Sequence, residues 1–431
     1  MVSIRRAAVL LLGAGSLFAA ACSGGSTKTT VETTQPPVST TSTTVLPRGD
    51  GPLRLGVLLP QTGANSVLGQ SLASAVELAV KEIDDAGGVN GRAIVVERSA
   101  EPSDISAAIA SLDNLVNDRH VDAVIGPASG RTALAAIDAA NQSHVVMCSP
   151  TAANLALSSY AGNRYFFRTM PADDLEALAL ARALISSTGA RATSLVYADN
   201  DYGNAMANLV VAELRRNGVN FTAAAFQPGA DSLHDTVLQA LGSRPQAIAV
   251  IGSADEGAAV LAELRTQGVT AASIPTFVTS AMRQAGLFEK VAAGRPDVMQ
   301  GVVGVSPEAS PVDPVFSGRV NKDNASVAAS NFASYAYDCT NLIALAAQAA
   351  GSNDPTKFVD QVAATSRVGF TCQDFATCAR LLAEQRDIDY DGQSGTVELN
   401  GSGDVDSGRY DVFTFDPQGR DVTERMSLVT R

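Results

Sequence analysis

No G-x-S-x-G, S-x-x-K, H-E-x-x-H, P-loop or G-x-G-x-x-G motif occurs in this 431-residue chain. The usual signatures of acyl transfer, zinc proteolysis and nucleotide binding are therefore missing, which argues against an enzyme. Only three histidines are present, His120, His144 and His234, and no cysteine spacing is C-x-x-C, so no zinc site is expected. Basic residues are scarce: 31 Lys and Arg stand against 44 Asp and Glu, a formal net charge of −13. That balance argues against nucleic acid and against a polybasic membrane surface. After residue 21 no second long apolar run follows, so nothing in the body should enter a bilayer.

What is present begins with Arg5 and Arg6, followed by an apolar run over residues 7–21 that ends on Ala19, Ala20 and Ala21 directly before Cys22. The run is shorter than the roughly 20 residues a membrane helix needs and reads as a signal peptide over residues 1–21. With Cys22 after the small residues, it resembles a bacterial lipoprotein signal. That resemblance implies lipid attachment at Cys22, and through it a membrane, outside the cytoplasm. Such signals usually carry Leu three residues before the Cys; here Ala19 stands there, and an ordinary cleaved signal with an incidental Cys is the alternative. Residues 22–52 are rich in Thr, Ser, Pro and Gly without helical or strand period, the composition of a disordered tether. Loss of Arg5 and Arg6 would take the net charge from −13 to −15.

The remaining 380 or so residues exceed what one core usually supports, which favours two lobes. Compact apolar runs at 53–59, 93–98, 121–125, 145–148, 194–197, 247–251 and 276–279 alternate with helical periodicity near 131–141, 174–187, 203–217, 232–241 and 255–267. Continuous apolar strands between amphipathic helices imply parallel sheets covered on both faces. A long helix is expected over 330–350 and another opened by Asp354 and Pro355. Segments 396–399 and 410–415 read as an antiparallel finish around a turn at 401–404. Four cysteines remain beyond Cys22. Cys372 and Cys378 are an expected disulfide; Cys148 and Cys339 could pair or stay as buried thiols.

Several segments then carry a resemblance to type 1 periplasmic binding proteins, in the branched-chain amino acid and amide branch that serves ABC importers. They are LGVLLPQTG at 55–63, GGVNGR at 87–92, VIGPAS at 124–129, SPTAAN at 149–154, YFFRT at 165–169, DYG at 201–203 and IDYDGQSG at 388–395. The resemblance implies two doubly wound α/β lobes around a ligand cleft, joined by three hinge crossings. Lobe 1 would comprise 53–170 and 304–390, and lobe 2 171–303 and 391–431. It implies a monomer that traps a small polar ligand, an amino acid or amide, for ABC permease subunits, with no cofactor. Matched positions place Ser129, Gly130, Ser149, Thr151 and Ala152 in the loops that hold a ligand head group, and Tyr202 as the aromatic folded over it.

The departures weaken a branched-chain ligand. The family's head-group hydroxyl is Ala153 here, its first-lobe aromatic is Leu68, and another aromatic is Ala254. Where its acid meets the substrate ammonium, near Ser280 and Ala281, no carboxylate stands; Asp255 could substitute, or cap the helix that follows. Asp387, Asp389, Asp391, Gly392 and Glu398 also satisfy a calcium-loop pattern, although the segment after it looks like a strand instead of a helix. Competing readings are an envelope lipoprotein of this fold that regulates a cell-wall synthase, and a sensory receptor subunit.

Overall fold

The computed structural model describes residues 51–431 apart from 64, 190, 285, 309–312 and 323–331. The signal segment, Cys22 and nearly all of the proposed tether lie outside the described residues. No described helix is long and apolar enough to cross a membrane.

The first sheet is wholly parallel. Its strands β1 (Arg54–Leu59), β2 (Val95–Ala100), β3 (Ala123–Ile125), β4 (Val146–Ser149) and β5 (Phe166–Arg168) stand in the order β2-β1-β3-β4-β5. Helices α1 (Ser66–Asp85), α2 (Ile105–Asp113), α3 (Gly130–Ser143) and the single turn α4 (Leu155–Ser158) connect them. The chain then crosses to α5 (Asp173–Thr188), β6 (Ala192–Ala198), α6 (Asp201–Arg216), β7 (Asn220–Phe226), α7 (His234–Gly242), β8 (Ala247–Ile251), α8 (Ala254–Thr266), β9 (Thr276–Val278), α9 (Leu287–Val291) and β10 (Val303–Pro307). These strands order as β7-β6-β8-β9-β10, the same winding as the first sheet. Strands β3, β4 and β8 are buried along their whole length, as sheets covered by helices on both faces require.

The chain returns through α10 (Phe316–Asn321), α11 (Ala333–Ala350), α12 (Pro355–Ala364), β11 (Phe370–Cys372), α13 (Phe375–Ala383), β12 (Ile388–Gly392) and β13 (Gly395–Thr396), then finishes in the second sheet with β14 (Ser407–Phe415) and β15 (Asp421–Thr430). Helix α11 is buried at every position from 333 to 347, so it has no polar outer face, and its buried polar groups are bonded within the protein, Asp338 accepting from Tyr390 OH and the Gln393 and Ser394 N–H groups. It packs into the first core with α1, and Cys339 on it is bonded to Cys148 on β4 across 191 residues. Cys372 and Cys378 are bonded as well. Both pairs of cysteines are thus disulfides, including the one the sequence left open.

Two expectations need correction, and the calcium-loop pattern, not favoured from sequence, is placed. The antiparallel finish is the β14–β15 hairpin, with β14 also antiparallel to β10, while β13 pairs with β12. The lobe boundaries at 303/304 and 390/391 move: β10 belongs to the second sheet, and Val397, Leu399 and Val405 pack in the first core, so the later crossings fall near 308 and 406. The calcium-loop pattern is an extended strand over 388–392, where alternating side chains send Tyr390 inward and Asp389 and Asp391 to the other face. Among the described residues no group of three or more His, Cys, Asp or Glu is arranged to hold a metal.

The crossings are tied by buried charge. Arg168, at the end of β5, is fully buried; its Nε donates to Asp404 Oδ1 at 2.7 Å, and its backbone N–H donates to Gly403 O. Asp404 is also met by Arg431, whose Nε donates to Asp174 at the start of α5. Around the other crossings Thr169 Oγ1 donates to Tyr335 O, Tyr335 OH donates to Glu308 O, and Glu308 pairs with Arg409. Removing one partner of a buried ion pair strands the other charge, at a cost of about 3–5 kcal/mol. Asp404→Asn is expected to lower unfolding stability by that order in a denaturant titration, against a change below about 1 kcal/mol for the exposed pair partner variant Asp360→Asn.

Candidate functional site

Open parallel sheets bind ligands outside the carboxyl ends of their strands, where the strand order reverses. Here that place lies between β1 and β3 in the first sheet and between β6 and β8 in the second. A cavity of about 260 Å³ opens there, lined by Ser129, Gly130, Arg131, Ala153, Asn154 and Leu155 from the first lobe and by Asp173, Asp201, Tyr202 and Ala205 from the second.

The first-lobe wall is built by two loops locked together. Ser149 Oγ donates to Pro127 O at 2.5 Å and accepts from Ala152 N–H, while Thr151 Oγ1 donates to Ala128 O at 2.8 Å. Arg168 donates to the carbonyls of Ala152 and Asn154, so the charge that ties the crossings also holds this loop. Ser129 caps α3 by accepting from Thr132 N–H. Gly130 lets the two loops approach closely: a Cβ there would stand 3.2 Å from Asn154 Cβ, so a side chain would press the loops apart by a few tenths of an ångström. The N–H groups of Ala128 and Ser129 are already satisfied by the buried Glu101, at 2.7 and 2.9 Å. Burial pushes the Glu101 carboxyl up, and those hydrogen bonds pull it back.

The second-lobe wall rests on the start of α6. Asn200 caps it, accepting from Gly203 N–H at 2.9 Å. A Cβ at Gly203 would meet Ala198 O at 2.0 Å, so glycine lets the helix sit down on the strand end and aims Asp201 and Tyr202 at the cleft. Burial and the nearby Glu176 and Asp173 push the Tyr202 phenol well up, keeping it neutral. Asp173 enters from the first crossing, its N–H donating to Ala153 O at 2.9 Å. Burial first, then the Glu176 charge, raises its carboxyl to about 8, against the pull of Arg168. Glu176 is buried, raised to about 7 by that burial, and accepts from Ser280 N–H and Oγ.

Of the residues expected from sequence, the cavity brings together Ser129, Gly130 and Tyr202. Ser149, Thr151 and Ala152 stand behind its wall, with Ser149 and Ala152 fully buried, and shape the loop instead of facing the cleft. Asp255 is exposed and pairs with Lys290; the helix cap it was weighed for is a capping box of Ser253 and Glu256. The lining residues missed were Arg131, Asn154, Asp173 and Asp201. Asp173 and Asp201 read in sequence as ordinary first-turn acids of helices, and only the fold turns them toward the cavity.

A family model described as periplasmic binding protein matches residues 52–381. The protein of Halobacterium salinarum named chemotactic signal transduction system substrate-binding protein BasB is 29% identical over 361 residues, 81% of this chain and 83% of its own. An amino acid binding protein of Pseudomonas aeruginosa is 24% identical over 314 residues, 70% of this chain and 80% of its own. The structure of the branched-chain amino acid transporter substrate binding protein LivJ from Streptococcus pneumoniae, in complex with isoleucine, matches with a TM-score of 0.66 at 20% identity, covering 88% of this chain and 100% of that one.

The two raised carboxyls make stability depend on pH. Unfolded carboxyls titrate near 4, so the folded protein keeps protons on Asp173 and Glu176 that the unfolded chain releases. Their contribution is full below about pH 4 and is lost as pH rises through about 7 and 8. The melting temperature is expected to fall by a few degrees or more between pH 5 and 8.5. The double variant Asp173→Asn, Glu176→Gln should show a flatter curve in the same scanning fluorimetry.

Proposed function

Because the chain belongs to the periplasmic binding protein family, we propose that it is an extracytoplasmic solute receptor that traps a small polar ligand, an amino acid or amide, between its lobes. The family is one of binding proteins, not enzymes. The observation that carries this reading is the cavity at the switch point of both sheets, with a helix start and a guanidinium on one wall and two acidic side chains and a phenol on the other. The first-turn N–H groups of Gly130 and Arg131 lack intrahelical acceptors and favour an anionic ligand group, helped by the Arg131 guanidinium. Asp201 across the cleft favours a cationic one, the protonated Asp173 carboxyl offers a hydrogen-bond donor, and Tyr202 offers an aromatic face. Hinge closure about the crossings at 169–172 and near 308 and 406 would bury such a ligand and present the closed shape to an ABC permease. In this reading Cys22 bears the lipid and residues 23–52 the spacer, holding a monomeric receptor close to its membrane partner.

A sensory role is the second reading, favoured by the Halobacterium salinarum relative, whose name places it in chemotactic signal transduction. It uses the same cleft and differs only in the partner that reads the closed form.

A ligand that binds the folded state alone stabilises it by about 2.7 kcal/mol at a hundred times its dissociation constant. In a thermal-shift screen against amino acids, amides and short carboxylates, at least one compound is expected to raise the melting temperature by several degrees. Tyr202→Ala should reduce that compound's affinity at least about tenfold, by loss of its packing face. A flat response across the whole panel would sink the receptor reading.

A further inference from the structure

Two charges face the cleft from opposite lobes. Arg131 stands on the first-lobe wall in the opening turn of α3, and Asp201 on the second-lobe wall as the first residue of α6. Both are exposed, and neither makes an ion pair among the described residues. The other charges near the cleft are engaged: Arg168 with Asp404, Asp174 with Arg431, Glu101 with the N–H groups of Ala128 and Ser129, and Glu176 with Ser280. Asp173, the remaining acid of the lining, keeps its proton at neutral pH because of burial and the Glu176 charge, so it is no counter-ion for a guanidinium.

Helix polarity makes the position of Arg131 informative. The start of a helix is its positive end, where acids are stabilised and bases are not. Helix α3 carries no acid in its first turn, and the base it carries there works against the dipole. Asp201, by contrast, suits the start of α6. Both helix starts line the same cavity, so when the lobes swing together their positive ends approach from opposite walls. That approach is unfavourable with only Arg131 between them. It becomes favourable once the Asp201 carboxylate lies between the two ends and beside the guanidinium. On closure each side chain thus meets the counter-charge it lacks within its own lobe.

Building on the hinge closure of the receptor reading above, we propose that Arg131 and Asp201 form an ion pair across the closed cleft, a latch built from the protein's own side chains. The pair holds the lobes shut and sets the balance between open and closed forms whichever compound lies inside. The guanidinium has five N–H donors in a fixed fork, so it can bind Asp201 and still reach an oxygen of a bound compound. With Arg131 and Asp201 balancing each other, the enclosed compound needs no net charge of its own.

Disulfide trapping of the full chain, with no ligand added, tests the latch. Leu155→Cys and Ala205→Cys place one thiol on each wall of the cavity, and Cys22→Ser removes the one cysteine outside the two disulfides. The rate at which a mild oxidant links the pair follows the closed fraction, and charge variants are compared in that parent. An exposed ion pair shifts such an equilibrium by a factor of up to about five. Arg131→Gln and Asp201→Asn are each expected to slow trapping about two- to fivefold, and the double variant no further than either alone. The swapped variant Arg131→Asp, Asp201→Arg should recover the parent rate, and about 0.5 M NaCl should bring the parent rate toward that of the single variants. An unchanged rate in either single variant, or a swap that stays slow, overturns the latch and leaves the receptor reading standing, since the lobes still close. A parent that is never linked overturns the latch and the hinge closure together.

Discussion

Arg168 is fully buried, and every donor group on its guanidinium is committed. One side meets Asp404 in the third crossing; another holds the carbonyls of Ala152 and Asn154; a third donates to Ser158 Oγ. A planar fork of fixed geometry suits this position as a flexible ammonium would not. Its burial is tolerable only because all these partners are present together. The shape of the first-lobe wall and the spacing of the crossings are therefore set by one side chain. The Arg431 link from Asp404 to Asp174 extends that constraint to the start of α5, where Asp173 faces the cleft.

The two lobes solve the same problem with the same winding. In each, an order of 2-1-3-4-5 brings the loops after its first and third strands to one crevice, and in each a buried glutamate satisfies a cleft-edge loop from within. The lobes differ in what they leave exposed to a ligand. The first presents a helix start and a guanidinium, the second the Asp201 carboxylate, the raised Asp173 carboxyl and a phenol. In the proposed reading, a ligand that carries both signs of charge is complementary to the pair and to neither wall alone, which would give closure its driving force.

Much of the fold was legible because parallel sheets buried on both faces write themselves as apolar runs between amphipathic helices. Strands β3, β4 and β8 follow from their sequences directly. Strands β7 and β10 were not read, the first because Asn220–Phe226 is a partly exposed edge with weak alternation, the second because Val303–Pro307 carries Gly and Pro. The finish was misassigned because 396–399 looks like a strand, whereas its partner is a local bridge and the hairpin is made further on. At the site, Ser129, Gly130 and Tyr202 could be placed because loop motifs mark strand ends. Asp173, Asp201 and Arg131 could not, since acids and bases in a first helical turn have the same sequence whether they face solvent or a cavity. Asp255 illustrates the converse: chemically suited, and turned away toward Lys290.

The central claim is that the two lobes close on a ligand held between Arg131 on one wall and Asp173, Asp201 and Tyr202 on the other. Small-angle X-ray scattering of the chain with and without a saturating ligand tests it most directly. The account predicts a smaller radius of gyration in the bound state, and in Tyr202→Ala the same contraction only at ligand concentrations at least about tenfold higher. A bound state whose scattering profile superimposes on that of the free protein, at a concentration where binding is independently complete, would contradict it.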